Sequence, residues 1–450
     1  MHPMGLMYIG ATLKKAGHEP KIHDCAVDYK DLNILKYKIQ DWKPDFIGIS
    51  VIVTELEHTK RIMSVIRSIL PDIPVTFGGP WPSANPEKAI KTFGADFVVL
   101  GEGELVFPEL IDAVNKGLST DSIPGTASMV DGYVKIRTGR QLTEDELNSL
   151  PFPAWELLDQ KLYAGMTSQA DVGCRDYMTI ITSRGCPFKC AYCHQTMGKI
   201  CRERSAESVL SEIEELRFRH GLKEFEILDD CFNLNRERMY AILNGIRNRF
   251  SDVKLHFPNG LRADILEPED MVLFKQAGTV SAMFAVETSS PRLQKMIRKN
   301  LNIDRAVLAI NAAVKAGIFS TGYFMIGFPT ESYEEASATI EFAVRSTMHR
   351  AFFYNPTPFT GTYLAEMAAD VLKKRGNTID PHDVNYFNST NISAMSDSDL
   401  QMVFRRAYMR FYLNPKRIVR FAISHPNIFL LPRYALFFLL RILPQRISSA

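Results

Sequence analysis

Strand-like and helix-like runs alternate along most of the 450 residues, and this alternation limits the fold more than any other feature of the chain. Residues 45–51 (DFIGISV), 73–77 (IPVTF) and 97–100 (FVVL) are short, continuous and apolar, as strands buried on both faces are. Residues 5–16, 32–40, 59–69, 87–92 and 104–115 fit helices, and 18–23 reads as a further short strand. Buried strands separated by helices predict a doubly wound parallel sheet. Such sheets bind ligands beyond the C-terminal ends of their strands, here 50–55, 78–83 and 101–104.

Residues 117–176 break the pattern. Gly117, Pro124, Gly125, Gly132, Pro151 and Pro153 punctuate polar runs there, predicting a linker with room for a small hairpin. A second array begins at Tyr177, with strands expected at 178–182, 224–228, 254–257, 279–286, 321–326 and 350–354. The helices expected with them are 206–219, 236–247, 268–277, 291–297, 303–316 and 333–346. Six strand–helix repeats predict a partial (β/α)6 barrel with its site at the C-terminal strand ends. After Gly361 the chain turns mainly helical and basic, and residues 401–450 hold nine Arg and Lys with no Asp or Glu. The most apolar stretch, 428–443, is interrupted by Pro432, Arg433 and Arg441 and falls short of the ~18 residues of a membrane span. It reads either as a segment lying on a membrane surface or as a helix packed on the protein body.

A net charge of +2 gives the whole molecule no bias towards nucleic acid. Seven cysteines are too sparse for a disulfide framework. With no basic-then-apolar leader at Met1, a reducing, cytoplasmic compartment is expected, with the tail as a means of peripheral contact with the inner membrane surface. Three of the cysteines fall within eight residues, in 182–198 (TSRGCPFKCAYCHQTMG). Cys186, Cys190 and Cys193 there form C-x3-C-x2-C directly after a strand. Three thiolates can each hold one iron of a [4Fe–4S] cubane, leaving the fourth iron open to another ligand. Gly185 lets the backbone approach such a cluster, and the charge of Lys189 favours it. The competing reading is a zinc knuckle completed by Cys201 or His194, but zinc sites usually come as paired C-x2-C halves and no second half is present.

The spacing C-x3-C-x-aromatic-C, with Tyr192 as the aromatic, resembles the signature of the radical S-adenosylmethionine (SAM) superfamily. The resemblance implies that the open iron chelates SAM. One electron then splits the sulfonium into methionine and a 5′-deoxyadenosyl radical that abstracts a substrate hydrogen. Further motifs follow in the order that family needs. Leu228-Asp229-Asp230-Cys231-Phe232 ends the second strand, Arg262 follows the third, Glu287 ends the fourth, and Gly327-Phe328-Pro329 closes the fifth. The segment 354–361 (YNPTPFTG) resembles the turn that ends the barrel. By the resemblance, Tyr192, Asp229, Asp230, Arg262, Glu287 and Gly327 are the expected SAM-binding residues. Each carboxylate, read alone, fits a helix cap or salt-bridge partner equally well.

The N-terminal array resembles the cobalamin-binding domain that precedes the barrel in the B12-dependent branch of that superfamily. Residues 4–19 look like its opening helix, Gly78-Gly79-Pro80-Trp81-Pro82-Ser83 like its Gly-Gly loop, and Gly101-Glu102-Gly103-Glu104 matches its G-E-G-E. Ser50, Gly78, Gly79, Ser83, Gly101, Glu102 and Gly103 are therefore the expected cobalamin contacts. D-x-H-x-x-G is absent, so no axial histidine is expected, and Trp81 stands where a histidine is frequent. The chain opens at what corresponds to the first helix. The family's first strand is thus missing, implying a start codon upstream or a degenerate domain. A Rossmann-like domain without cobalamin is the bland alternative.

The expected α/β organisation is a cobalamin-binding Rossmann-like domain (1–120), a linker (121–174), a radical SAM barrel (175–360) and a helical, basic C-terminal region (361–450). The resemblance implies a cobalamin-dependent methyltransferase acting on an unactivated centre of a small molecule and drawing electrons from an external one-electron reductant, with no single catalytic residue assigned. The alternatives are an oxidative cyclase for a porphyrin-like or lipid substrate and a non-catalytic cobalamin or iron–sulfur sensor. A methylthiotransferase is excluded because only Cys25 precedes residue 170. Cys25, Cys174 and Cys231 read as buried apolar fillers and His194 as a neighbour of the loop.

Overall fold

The computed structural model describes residues 2–28, 31–163, 168–172, 176–193, 197–359, 361–374 and 391–442. The chain forms two compact units, one of residues 1–164 with 196–198, the other of 165–195 with 199–450.

In the first unit, β1 (Ile47–Ser50), β2 (Val75–Gly78) and β3 (Phe97–Val99) pair in parallel. β4 (Thr126–Val130) and β5 (Tyr133–Arg137) then extend the sheet antiparallel, giving the order β1-β2-β3-β4-β5. This hairpin comes from the segment read as a linker. Its turn is Asp131-Gly132, with φ of 48° and 79°, the paired left-handed residues whose twist suits a two-residue hairpin. Val75, Phe77 and Val98 are fully buried, and the helix Leu56–Ile69 lays Ile62, Met63 and Ile66 against that sheet. Contrary to expectation, residues 18–23 form no strand. Among the described residues the sheet ends at β1, and residues 18–23 do not extend it.

The second unit is built on six parallel strands in the order β13-β12-β11-β10-β9-β6. These are β6 (Tyr177–Ile180), β9 (Glu224–Ile227), β10 (Lys254–Leu261), β11 (Thr279–Glu287), β12 (Phe319–Met325) and β13 (Arg350–Tyr354). A small antiparallel pair, β7 (Ser183–Arg184) and β8 (Arg202–Glu203), sits beyond β6. The outer strands β6 and β13 do not pair, so the sheet stays open. Side-chain caps from Ser205, Asn235, Ser290, Asn302 and Ser332 start the intervening helices where expected. β10 outruns its expected end at 257. A register shift against β11 between Phe257 and Leu261 carries the strand past Pro258 and Gly260.

The open edge is protected. Tyr412 accepts from Ala351 N at 3.1 Å and donates to Ala351 O at 2.8 Å, taking the place of a seventh strand beside β13. Tyr412 belongs to the helix Asp397–Tyr412, which is followed by Pro415–Ser424 and Leu431–Ile442. Next to the Ala351 contact on β13, buried Arg350 holds Ala170 O and the Asp171 carboxylate, and Glu226 of β9 accepts from Ala170 N. No helix among the described residues is long and apolar enough to cross a membrane.

Candidate active site

The three-cysteine loop leaves β7 and is stitched down from several directions. Asp229, at the end of β9, is 3% exposed and accepts from Thr182 N at 2.6 Å, from Ser183 Oγ at 2.7 Å and from Thr182 Oγ1. Asp230 accepts from Gly185 N at 3.0 Å, immediately before Cys186. Between the cysteines, Ala191 N donates to Ile297 O and Ala191 O accepts from Leu364 N, each at 2.8 Å. Lys199 Nζ donates to Phe188 O at 2.6 Å. The guanidinium of Arg262 lies 3.8 Å over the Phe188 ring, pairs with Asp264 and donates to Lys299 O. Both Asp229 oxygens, Asp230 Oδ2 and the Arg262 guanidinium, all expected at the ligand, thus also make contacts that hold the loop and its surroundings.

The thiols feel one another. Desolvation and then neighbouring Cys190 push Cys193 up to about 11. A hydrogen bond from the Cys231 thiol is the main reason that Cys186 falls to about 6. Cys231 is buried, as expected, but against a loop sulfur rather than as inert filler. A thiol whose ionisation a neighbouring thiolate opposes, as at Cys193, suits a cationic iron core, whose charge offsets that of the thiolates. Among the described residues, no three His, Cys, Asp or Glu side chains converge as ligands of one metal ion. A cubane takes one thiolate per iron and needs no such convergence. His194 and Cys174 lie outside the described residues.

Beside the loop, Glu287 ends β11 in a left-handed conformation at φ 68°, which a non-glycine residue adopts only under constraint. Its Oε1 accepts from Tyr192 OH at 3.0 Å and from Lys299 Nζ at 3.1 Å, and Lys299 also lies 3.2 Å from Tyr192 OH. Burial and then Glu287 hold the Tyr192 phenol well above its usual range. Glu287 Oε2 is buried with no protein partner, an arrangement costly unless a ligand donor reaches it. The donor set therefore fits SAM, whose ammonium and ribose hydroxyls are such donors.

Sequence reasoning missed Lys299, which sits in a turn rather than at a strand end. It also missed Glu331. This carboxylate is buried and accepts from Gly327 N at 2.6 Å and Phe328 N at 2.9 Å, and burial raises it to about 7. Gly327 has φ 109°, and a Cβ there would meet Asn355 Oδ1 at 2.5 Å.

In the first unit, Ser50, Gly78, Gly79, Ser83 and Gly101 gather at the C-terminal ends of the three parallel strands. Ser83 Oγ donates to Gly79 O at 2.8 Å and accepts from Gly101 N at 3.0 Å, tying two strand-end loops together. Gly79 has φ 97°, and a Cβ there would press on Val51 O and Ser50 Oγ. At Gly78 and Gly101 a Cβ would meet nothing within 4 Å, so backbone is left open to a flat ligand. Glu102 is turned inward, accepting from Leu142 N at 2.9 Å, and Gly103 packs on Ile9 and Val99. These two shape the loop from within, whereas the strand ends fit an amide-rimmed ring such as cobalamin.

A family model matches within each unit. The B12 binding domain matches residues 1–111 and the Radical SAM superfamily residues 180–343. An uncharacterized methyltransferase of Pyrococcus horikoshii is 32% identical over 433 residues, covering 94% of this chain and 90% of the relative. Cytidylyl-2-hydroxyethylphosphonate methyltransferase of Streptomyces wedmorensis is 29% identical over 416 residues, covering 81% and 77%. Among solved structures, the radical SAM methyltransferase TsrM from Kitasatospora setae, with cobalamin and a [4Fe–4S] cluster bound, shares the fold. Its TM-score is 0.70 at 19% identity, over 83% of this chain and 76% of that one. The expected cofactor set of [4Fe–4S] cluster, SAM and cobalamin is the one these two domains use. The chain belongs to the radical SAM superfamily, in the branch that carries a B12-binding domain.

Proposed function

We propose that this chain is a cobalamin-dependent radical SAM methyltransferase that methylates an unactivated carbon of a small-molecule substrate, drawing on an external one-electron reductant. The observation that carries the reading is Glu287 Oε2, buried and unpartnered beside a three-thiol loop. When bound, the cluster supplies the electron that splits the sulfonium of SAM, and cobalamin supplies a transferable methyl group. In this assignment Cys186, Cys190 and Cys193 ligate the cluster, and Asp229 and Asp230 hold the loop rigid. Glu287 accepts from the ammonium or ribose of SAM, while Tyr192 OH and Lys299 Nζ, both bonded to its Oε1, fix its direction. Glu331 holds the amides of Gly327 and Phe328 so that the glycine backbone can approach the adenosyl group. Ser50, Gly78, Gly79, Ser83 and Gly101 form the cobalamin cradle.

The test needs no substrate. Anaerobically reconstituted protein carrying cluster and corrinoid is mixed with SAM and reductant, and two products are read: 5′-deoxyadenosine, and methylcobalamin by its absorbance. Both are expected, and Cys190→Ala abolishes the first. Absence of both products makes the protein a sensor. 5′-Deoxyadenosine without methylcobalamin, in protein that retains corrinoid, points to oxidative cyclisation instead.

A further inference from the structure

Much of the apolar surface of the second unit is concentrated in residues 413–442. On the helix Pro415–Ser424, Ile418, Val419 and Ile423 are exposed, the last to 79%. With roughly 100° per residue they share, with Ala422, one arc of about 140°. Lys416 falls at the arc's border, Arg420 and Phe421 lie about 60° outside it on either side, and buried Arg417 lies opposite. Beyond the helix, Phe429 is 87% exposed, and Leu436 and Leu439 of Leu431–Ile442 are more than half exposed. Exposed apolar side chains in this number mark an interaction surface rather than ordinary scatter.

Charge selects the partner. From residue 400 to 442 there is no Asp or Glu, and Lys416 and Arg433 are exposed beside the apolar groups. Two copies meeting across a two-fold axis would set this basic patch against itself, which disfavours self-association. An apolar face bordered by cations is the pattern of a helix lying in a lipid interface, with the apolar groups inserted and the cations among anionic headgroups. A crossing helix is not needed, and none is present among the described residues.

We propose that residues 413–442 form a surface that docks the enzyme on an anionic lipid bilayer, with Ile423 and Phe429 inserted and Lys416 and Arg433 at the headgroups. The full-length holoenzyme is tested by anaerobic co-sedimentation with vesicles of phosphatidylcholine, alone or with 30% phosphatidylglycerol. Binding is expected on the anionic vesicles and to be lost at high salt. Lys416→Glu and Arg433→Glu each weaken it by about fivefold or more. Ile423→Ser with Phe429→Ser abolishes it, while Phe218→Ser, at a 76% exposed site on another helix, leaves it unchanged. Matching melting temperatures guard against misfolding, and the two charge variants keep the test valid should the serine pair unfold. Failure to bind anionic vesicles overturns the proposal, as does equal binding to neutral ones. So does a concentration-dependent dimer that the serine pair abolishes. Methyl transfer is not read in this experiment, so its outcome is independent of the proposed reaction.

Discussion

Asp229→Asn separates two roles for a strand-end carboxylate. The change keeps the shape and removes the charge. The bond from Thr182 N to the remaining oxygen survives, but the Thr182 and Ser183 hydroxyls lose an ionic acceptor. Hydrogen bonds to a charged group contribute ~1.5–3 kcal/mol and neutral ones ~1, so each exchange costs about 0.5–2 kcal/mol. With the site 3% exposed there is little solvent to soften this, and the two together come to about 2 kcal/mol. At roughly 2–4 °C per kcal/mol for a unit of this size, the melting temperature of the apo protein falls by about 4–8 °C. Asp229→Ala strips all three donors and costs about 5 kcal/mol. Differential scanning calorimetry reads the stability. Equilibrium dialysis of SAM against reconstituted protein of equal iron content reads the ligand, and its Kd is expected to stay within about twofold. An unchanged melting temperature combined with a tenfold weaker SAM complex would refute the clamp and restore Asp229 as a direct ligand contact.

Glu287→Gln keeps the packing but puts an amide where the anion stood, and SAM binding is expected to weaken about tenfold or more, read by the same dialysis. Gly327→Ala forces a Cβ against Asn355 Oδ1 at φ 109° and is expected to destabilise by about 2 kcal/mol, measured as the urea midpoint. His349 and His425 are buried and lowered to about 4, chiefly by desolvation. Their stabilisation is whole above the unfolded value of about 6.5 and is lost as pH falls towards 4, about 2 kcal/mol per ring by pH 5. The stability gap between wild type and His349→Gln/His425→Gln should therefore narrow from pH 7.5 to pH 5, and a constant gap would sink that account.

The sequence by itself determined the order of elements, the strand-to-loop position of the three cysteines and the pairing of two cofactor domains. Each of these rests on signals only a few residues long. Strands buried on both faces form continuous apolar runs, helices begin at Ser and Asn caps, and a cubane loop needs only its C-x3-C-x2-C spacing. Tertiary structure decided which carboxylate oxygens are taken up inside the protein and which, such as Glu287 Oε2, are left without a protein partner. Thr182 meets Asp229 across 47 residues and Tyr192 meets Glu287 across 95, so the orientation of these acids depends on partners no local pattern names. The same holds for Lys299 and Glu331, which carry no motif, and for residues 18–23, whose strand-like composition does not bring them into the sheet. A hydrogen-bonding group is directed by the donor or acceptor that packing brings to it, and that is a property of the fold rather than of the residue.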